Sequence, residues 1–472
     1  MSGMAAEFVE GRVLTERNAS ESSRGRTQSR SNTMLRLARV REAASKNRKQ
    51  SFTALLHHVT PELLESSFYG LKRQAVSGVD GITWQKYSEN LEDKIVDLHN
   101  RIQCGSYRPK PARQVHIPKS DGSRRALSIQ CVEDKIAQQA IVTVLNQIYE
   151  TDFQGFSYGF RPKRSQHDAL DALTCGIVKR KVNWVLDLDI RKFFDTVEHE
   201  WLNRMLKHRI QDRRLLKLIT RWIKVGIVDG DGKRCAASIG VPQGAVISPL
   251  LSNIYLHYVF DLWSEQWRKK KASGDVIIIR YADDAVLGFQ SKLDAQEYRI
   301  DLEHRLSQFG LSLHCDKTRL IQFGRFAREK CARRGSKPET FDFLGFTHFC
   351  STKRNGEFQV GRKTSKKRLV KQIAAVQSSL RQRLHHPPLT TLRWLESVLR
   401  GHMNYYGVPG NISSVSVFRT EIIRRWFKML RRRSQRKAIV WSWFSGWINR
   451  QLPHAKVVHP YPGERFHAKY SQ

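Results

Sequence analysis

The sequence has no apolar run near the ~20 residues that a membrane-spanning helix needs, which leaves no helical span and no membrane partner to expect. It has no C-x-x-C pair, and its seven cysteines, at 104, 131, 175, 235, 315, 331 and 350, are odd in number. Neither a disulfide framework nor a structural zinc site is therefore indicated, and a reducing, cytoplasmic compartment is expected. The N-terminus has no apolar signal core, and Glu7, Glu10, Glu16 and Glu21 argue against a transit peptide. Acid is scarce throughout: 44 Asp plus Glu face 82 Lys plus Arg, a formal charge of +38 that repels itself unless a polyanion neutralises it. Nucleic acid is the expected partner.

With 40% hydrophobic residues in 472, the chain is long enough for two or three domains with cores of their own. Residues 1–50 depart from that average. Ser20 to Asn32 is Ser, Arg, Gln, Thr and Asn with single Glu and Gly residues, which cannot bury enough surface to offset its ordering entropy, so a disordered basic extension is expected. Order should begin near Ser51 and continue as mixed helices and strands to about residue 360. Within it, Tyr107 to Ile129 reads as short strands around a hairpin turning at Asp121-Gly122. From 361 to 447 three amphipathic helices follow, with Leu369, Ile373, Val376, Leu380 and Leu384 on the first face. Leu392, Leu395, Leu399 and Met403 line the second face, and Phe418, Ile422, Trp426 and Leu430 the third. Lys366-Lys367-Arg368 and Arg431-Arg432-Arg433 edge this helical unit, as expected of a surface that grips a nucleic-acid backbone. Residues 448–472 form a short tail.

Chemistry concentrates at Tyr281-Ala282-Asp283-Asp284. Val276 to Ile279 and Ala285 to Phe289 flank this short polar turn, predicting a β-hairpin with two acids at its tip. A second strand, Val182 to Ile190, also ends in acid. Alternation puts Leu186, Leu188 and Ile190 on one face and Asp187 with Asp189 on the other, so a neighbouring hairpin can bring Asp283 beside Asp189. Three carboxylates in one place repel unless cations sit between them, and hard oxygen ligands suit Mg²⁺. Two such ions roughly 3.5–4 Å apart stabilise both the attacking and the leaving oxygen of a phosphoryl transfer.

An ordered series of motifs then carries a resemblance: GVDGIT at 78–83, IPKSDGSRRALSI at 117–129, YGFRPKRSQHDAL at 158–170 and LDLDIRKFFD at 186–195. It continues with GVPQGAVISPLLSNIYL at 240–256, YADD at 281–284, LHCDKTRLIQFG at 313–324, FDFLGF at 341–346 and a tail holding GHMNYYGVPGN and LRRRSQR. From about residue 51 onward the chain resembles the reverse transcriptases encoded by bacterial group II introns. The resemblance implies an α+β right-hand polymerase fold, with fingers and palm over 51–360, a helical thumb or maturase domain over 361–447 and a DNA-binding tail over 448–472. It implies Asp189, Asp283 and Asp284 as catalytic metal ligands, with the Ile190 carbonyl as a further oxygen, two Mg²⁺ ions and Mn²⁺ as a substitute. Lys119 and Arg125 would hold the incoming triphosphate; the competing reading is a basic hairpin along the template backbone.

Phe194 matches the position whose ring excludes a 2′-hydroxyl, favouring deoxynucleotides, while Phe193 is expected in the core. Gln243 would contact nucleotide and template, with Gly244 allowing close backbone approach. Lys317 matches the lysine that protonates pyrophosphate, or is a surface lysine beginning a strand. Arg161 is expected to touch template or nucleotide, and Phe341 to Phe346 either forms the primer grip or belongs to the palm core. The implied partners are an RNA template, the protein's own intron RNA, a DNA primer and target, and deoxynucleoside triphosphates, in a bacterial cytoplasm with nucleoid association on DNA. No Cys-pair or His-rich nuclease signature follows the thumb, so second-strand cleavage is expected to come from elsewhere or be unnecessary. The rival readings are a splicing-only maturase, a polymerase recruited to repair or phage defence, and an RNA-dependent RNA polymerase, against which Phe194 argues.

Overall fold

The structure, a computed structural model, describes residues 24–118, 124–229, 232–235, 238–433 and 439–470. Eleven strands are present among them. β1 (Ala112–Pro118) and β2 (Arg124–Ile129) form a hairpin, β3 is Trp184–Asp189, and β4 (Ile227–Val228) and β5 (Arg234–Cys235) are two-residue strands. β6 (Val276–Tyr281), β7 (Asp284–Phe289) and β8 (Arg319–Gln322) follow, then β9 (Phe341–Phe343), β10 (Phe346–Thr352) and β11 (Phe358–Thr364).

The sheet that positions the site runs β6-β7-β3-β8, all neighbours antiparallel. β6 and β7 are buried along most of their length and read as nearly continuous apolar runs, whereas β3 and β8 carry polar residues at their partly open positions. Alternation sorts them: Leu186, Leu188, Ile278, Leu287 and Phe289 enter one core, shared with the helices Val132–Asp152 and Ser248–Leu256. Val185, Ile277, Ile279 and Val286 enter a second core, shared with the helix Gln166–Lys179 and the C-terminal helices. The sheet thus divides two cores, and the face carrying Val185 also carries Asp187 and Asp189. β1 and β2 pair with β4 and β5 in a second sheet, whose β1–β2 turn, including Lys119, lies outside the described residues.

The expected amphipathic helices occur at Lys366–Gln382, Pro388–Tyr406 and Ile412–Arg431, burying Ile373, Val376 and Leu380, then Leu392, Leu395, Leu399 and Met403, then Phe418, Ile422, Trp426 and Leu430. β11 carries strand structure to Thr364, three residues past the expected start of the helical unit, and a fourth helix, Trp441–Gln451, bridges its expected end.

One expectation is corrected. Order does not begin at Ser51: Arg24–Lys46 is helical and buries Leu37, Val40 and Ala44, spaced i, i+3, i+7, in the first core. Arg209 supports that helix end, donating to the carbonyls of Ala44 (3.4 Å) and Asn47 (3.2 Å) while pairing with Asp152 at 3.2 Å. The C-terminal tail packs on the body of the protein. Its helix Pro462–Tyr470 lies on the helix Gln166–Lys179, with Arg465 on the buried Asp171 and Lys469 on Asp168.

Candidate active site

Register places the acids together. Asp189 closes β3 directly opposite Asp284, the first residue of β7, and the β6–β7 turn brings Asp283 next to both. Burial, followed by the charge of Asp189, raises the Asp283 carboxyl. Burial and then the charges of Asp283, Asp189 and Asp187 push Asp284 up to about 7, although its residue surface stays open to solvent. Asp187, two residues before Asp189, is pushed up to about 6, mainly by burial. One edge of the sheet therefore holds more negative charge than it can ionise at neutral pH without a cation.

One cation is supplied by the chain. The Lys317 ammonium lies 2.6 Å from Asp189 Oδ2, carried there by the turn before β8. Ile190 continues β3 through an isolated bridge to Leu313, and the His314 N–H donates to the Asp189 carbonyl at 2.8 Å. Among the described residues no three acidic, histidine or cysteine side chains already converge to ligating distance. Lys317 takes up one of the Asp189 oxygens instead.

A second group of expected residues meets beside the acids. Arg125 Nε donates to Gln243 Oε1 at 2.8 Å, Gln243 Nε2 donates to Asp195 Oδ1 at 3.2 Å, and the Val241 N–H donates to the Phe194 carbonyl at 2.8 Å. Gly244, at φ +104°, lies so close to the Ser128 carbonyl that a Cβ would stand 2.7 Å from it. Only glycine lets the Pro-Gln-Gly turn seat against β2 this way. Phe194 is half-buried, packs against the first core and lies edge-on to the buried Phe193. The positive charge of Arg125 reaches Asp283, which it pulls in the opposite direction to burial.

Arg161 does not face this cleft. It is buried, pairs with Glu150 at 2.9 Å, donates to the Gln154 and Ser157 carbonyls and lies over the Phe153 ring, so it braces its own loop. Phe341, Phe343 and Phe346 belong to the second core, which decides the open alternative for those three rings in favour of packing. Tyr405 ties the same turn down by donating to the Leu344 carbonyl at 2.7 Å.

The residue that sequence reasoning missed is Arg280. It is fully buried behind the acid turn and grips the equally buried Asp261 with two bonds of 2.7 and 2.6 Å. It also donates to Asn253 Oδ1 (3.1 Å), Ser157 Oγ (2.7 Å) and the Ala282 carbonyl (2.9 Å). Ala282 is held at φ +58°, a conformation that an L-residue keeps only when its surroundings enforce it. Asp261 ends a π-helical turn, His257–Asp261, a device that re-aims side chains at functional sites. The signal in the sequence was a charge directly following four apolar residues of a strand.

Residues 117–348 match the family described as reverse transcriptase (RNA-dependent DNA polymerase). The chain is 38% identical over 281 residues to "Protein YkfC" of Escherichia coli, covering 52% of this chain and 71% of that protein. It is 32% identical over 230 residues to the "Group II intron-encoded protein LtrA" of Lactococcus lactis, covering 48% of this chain and 37% of LtrA. A further match, 26% identical over 140 residues, 30% of this chain and 17% of the relative, is to "Nuclear intron maturase 4, mitochondrial" of Arabidopsis thaliana. The chain belongs to the reverse transcriptases, the RNA-directed DNA polymerases. Within that family its resemblance is to the group II intron-encoded proteins and maturases. No helix among the described residues is long and apolar enough to cross a membrane.

Proposed function

We propose that this chain copies RNA into DNA by two-metal nucleotidyl transfer at the Asp189–Asp283–Asp284 edge, and that its helical C-terminal region binds intron RNA as a maturase assisting splicing and retrotransposition. The observation that carries the proposal is the register pairing of Asp189 with Asp284 beside Asp283, facing Arg125 and Gln243. The donor set fits Mg²⁺: it is all oxygen, it is overcharged when empty, and it already draws an ammonium onto Asp189. Asp189, Asp283, Asp284 and the Ile190 carbonyl would hold two ions, Mg²⁺ or Mn²⁺. Bound there, the ions would activate the primer 3′-hydroxyl and neutralise the departing pyrophosphate.

The remaining residues bind, orient and exclude. Arg125, with Lys119 from the adjoining turn, would fork onto the triphosphate. Gln243 holds Arg125 and Asp195 in line, so the nucleotide meets a preformed surface rather than loose side chains. Phe194 would sit under the sugar and reject a 2′-hydroxyl by collision. Lys317 has to leave Asp189 when metal enters, which would free its ammonium to give a proton to pyrophosphate.

The test is incorporation of labelled deoxynucleotides on an RNA template annealed to a DNA primer, with Asp189→Asn as the variant. Synthesis should fall by about 100- to 1000-fold, as removal of a group that stabilises transition-state charge does, while RNA binding persists. Copying by Asp189→Asn at the unaltered rate would remove the site from the mechanism.

A further inference from the structure

At the end of β3 remote from Asp189, Trp184 stands half-buried across from Gln322 of β8. The two border an open depression of about 430 Å³ whose other lining residues are Lys292, Lys330, Arg333 and Arg334. The last three come from the short helix Ala327–Ala332 and the turn after it, anchored by the buried Ala327 and Cys331. No lining residue is acidic. Among the described residues none of the four cations has an ion pair, whereas the buried Arg161, Arg209, Arg280 and Arg362 are each paired with a carboxylate. The Lys292 ammonium lies 5.3 Å from the Trp184 ring centroid.

Four unpaired like charges around one depression repel each other, and a polyanion relieves that repulsion. Five residues of strand separate Trp184 from Asp189, about 17 Å, so the depression is not part of the catalytic edge. We propose that it is a second nucleic-acid site, which holds the phosphate backbone of an RNA segment lying outside the polymerase cleft and offers Trp184 as a platform for one base. The site rests on the reading of this chain as an RNA-copying, RNA-binding enzyme: RNA is the polyanion that such a protein holds in lengths exceeding its cleft. Lys292 does not bar the ring. A stacked base is held more strongly on an aromatic face than an exposed cation is, so the ammonium can yield the ring and take a phosphate.

The test compares the unaltered chain with the variant Lys292→Gln, Lys330→Gln, Arg333→Gln, Arg334→Gln, all four positions being exposed. Binding of a labelled folded RNA of roughly a hundred nucleotides, of DNA of equal length and of a minimal primer–template is followed against KCl. Four phosphate contacts contribute about 0.7 each to the slope of log K against log [salt], so the variant's slope for long RNA should shrink by about 2.8 and its affinity at 0.15 M should fall about 200-fold. Extension of the minimal primer–template should be unchanged. In addition, RNA carrying 5-iodouridine should crosslink to Trp184 on irradiation. An unchanged long-RNA slope overturns the site, equal losses on long RNA and the minimal duplex reduce it to a general field, and a loss confined to DNA overturns the assignment to RNA. Absence of extension by the unaltered chain would instead count against the polymerase, and the long-RNA slope would still decide the site.

Discussion

Arg280→Met removes the guanidinium that joins the acid turn to three neighbouring elements. Asp261 would then be a fully buried carboxylate without its partner, and breaking a buried pair in this way costs about 3–5 kcal/mol. Replacing both partners, Arg280→Met with Asp261→Leu, leaves no orphaned charge, so at least half of that loss should return. Activity should not return with it, because the Ala282 carbonyl and Ser157 Oγ still lack the donor that fixes the left-handed Ala282 beside Asp283. Urea unfolding followed by tryptophan fluorescence measures the first effect, and primer extension on RNA the second. The reasoning is refuted if Arg280→Met unfolds at the unaltered midpoint, or if the stabilised double variant copies RNA at the unaltered rate.

Other outcomes follow from single features. His348 and His402 are buried and neutral, both lowered to about 3 chiefly by burial, so the unfolded chain takes up their protons first as pH drops. Their contribution is intact above pH 6.5 and is lost as pH falls from 6.5 toward 3, up to about 5 kcal/mol each, and His348→Phe should flatten a plot of urea midpoint against pH in that window. Asp212 is pushed up by burial but pulled further down by the four backbone N–H groups it accepts, those of Leu55, Leu56, Arg214 and Leu215. Asp212→Ala should cost about 3 kcal/mol in urea unfolding, and Asp212→Asn less. Phe194→Val should raise ribonucleotide incorporation relative to deoxynucleotide at least tenfold in single-nucleotide extension; unchanged discrimination removes the ring from sugar selection. Gly159→Ala would place a Cβ 2.3 Å from the Ala282 nitrogen, so extension should fall sharply while RNA binding is kept.

Much of the site was legible because it depends on short-range rules. Period-two alternation put Asp187 and Asp189 on one face, and the hairpin around Asp283-Asp284 follows from two apolar runs with almost nothing between them. Heptad-like spacing located the three C-terminal helices for the same reason. What was not legible depends on distant partners. Arg161 sits in a basic motif with Lys163 and Arg164, yet Glu150, eleven residues earlier, draws it inward. Arg280 needs Asp261 and Ser157, which only the folded chain brings together. The helix Arg24–Lys46 is polar enough to look unfolded, and its buried Leu37, Val40 and Ala44 have value only against elements far along the chain, chiefly the helix Val132–Asp152. The tail's Arg465 and Lys469 pair with Asp171 and Asp168, acids from far earlier in the chain that only the folded protein brings to them.

The most direct measurement is deoxynucleotide incorporation on an RNA template with a DNA primer and Mg²⁺, for the unaltered chain and for Asp283→Ala with Asp284→Ala, alongside Mn²⁺ binding by electron paramagnetic resonance. Synthesis and two bound ions in the first, with neither in the second while RNA is still held, is the predicted result. A double variant that goes on copying RNA, or an unaltered chain that binds structured RNA tightly and copies none, would contradict the account.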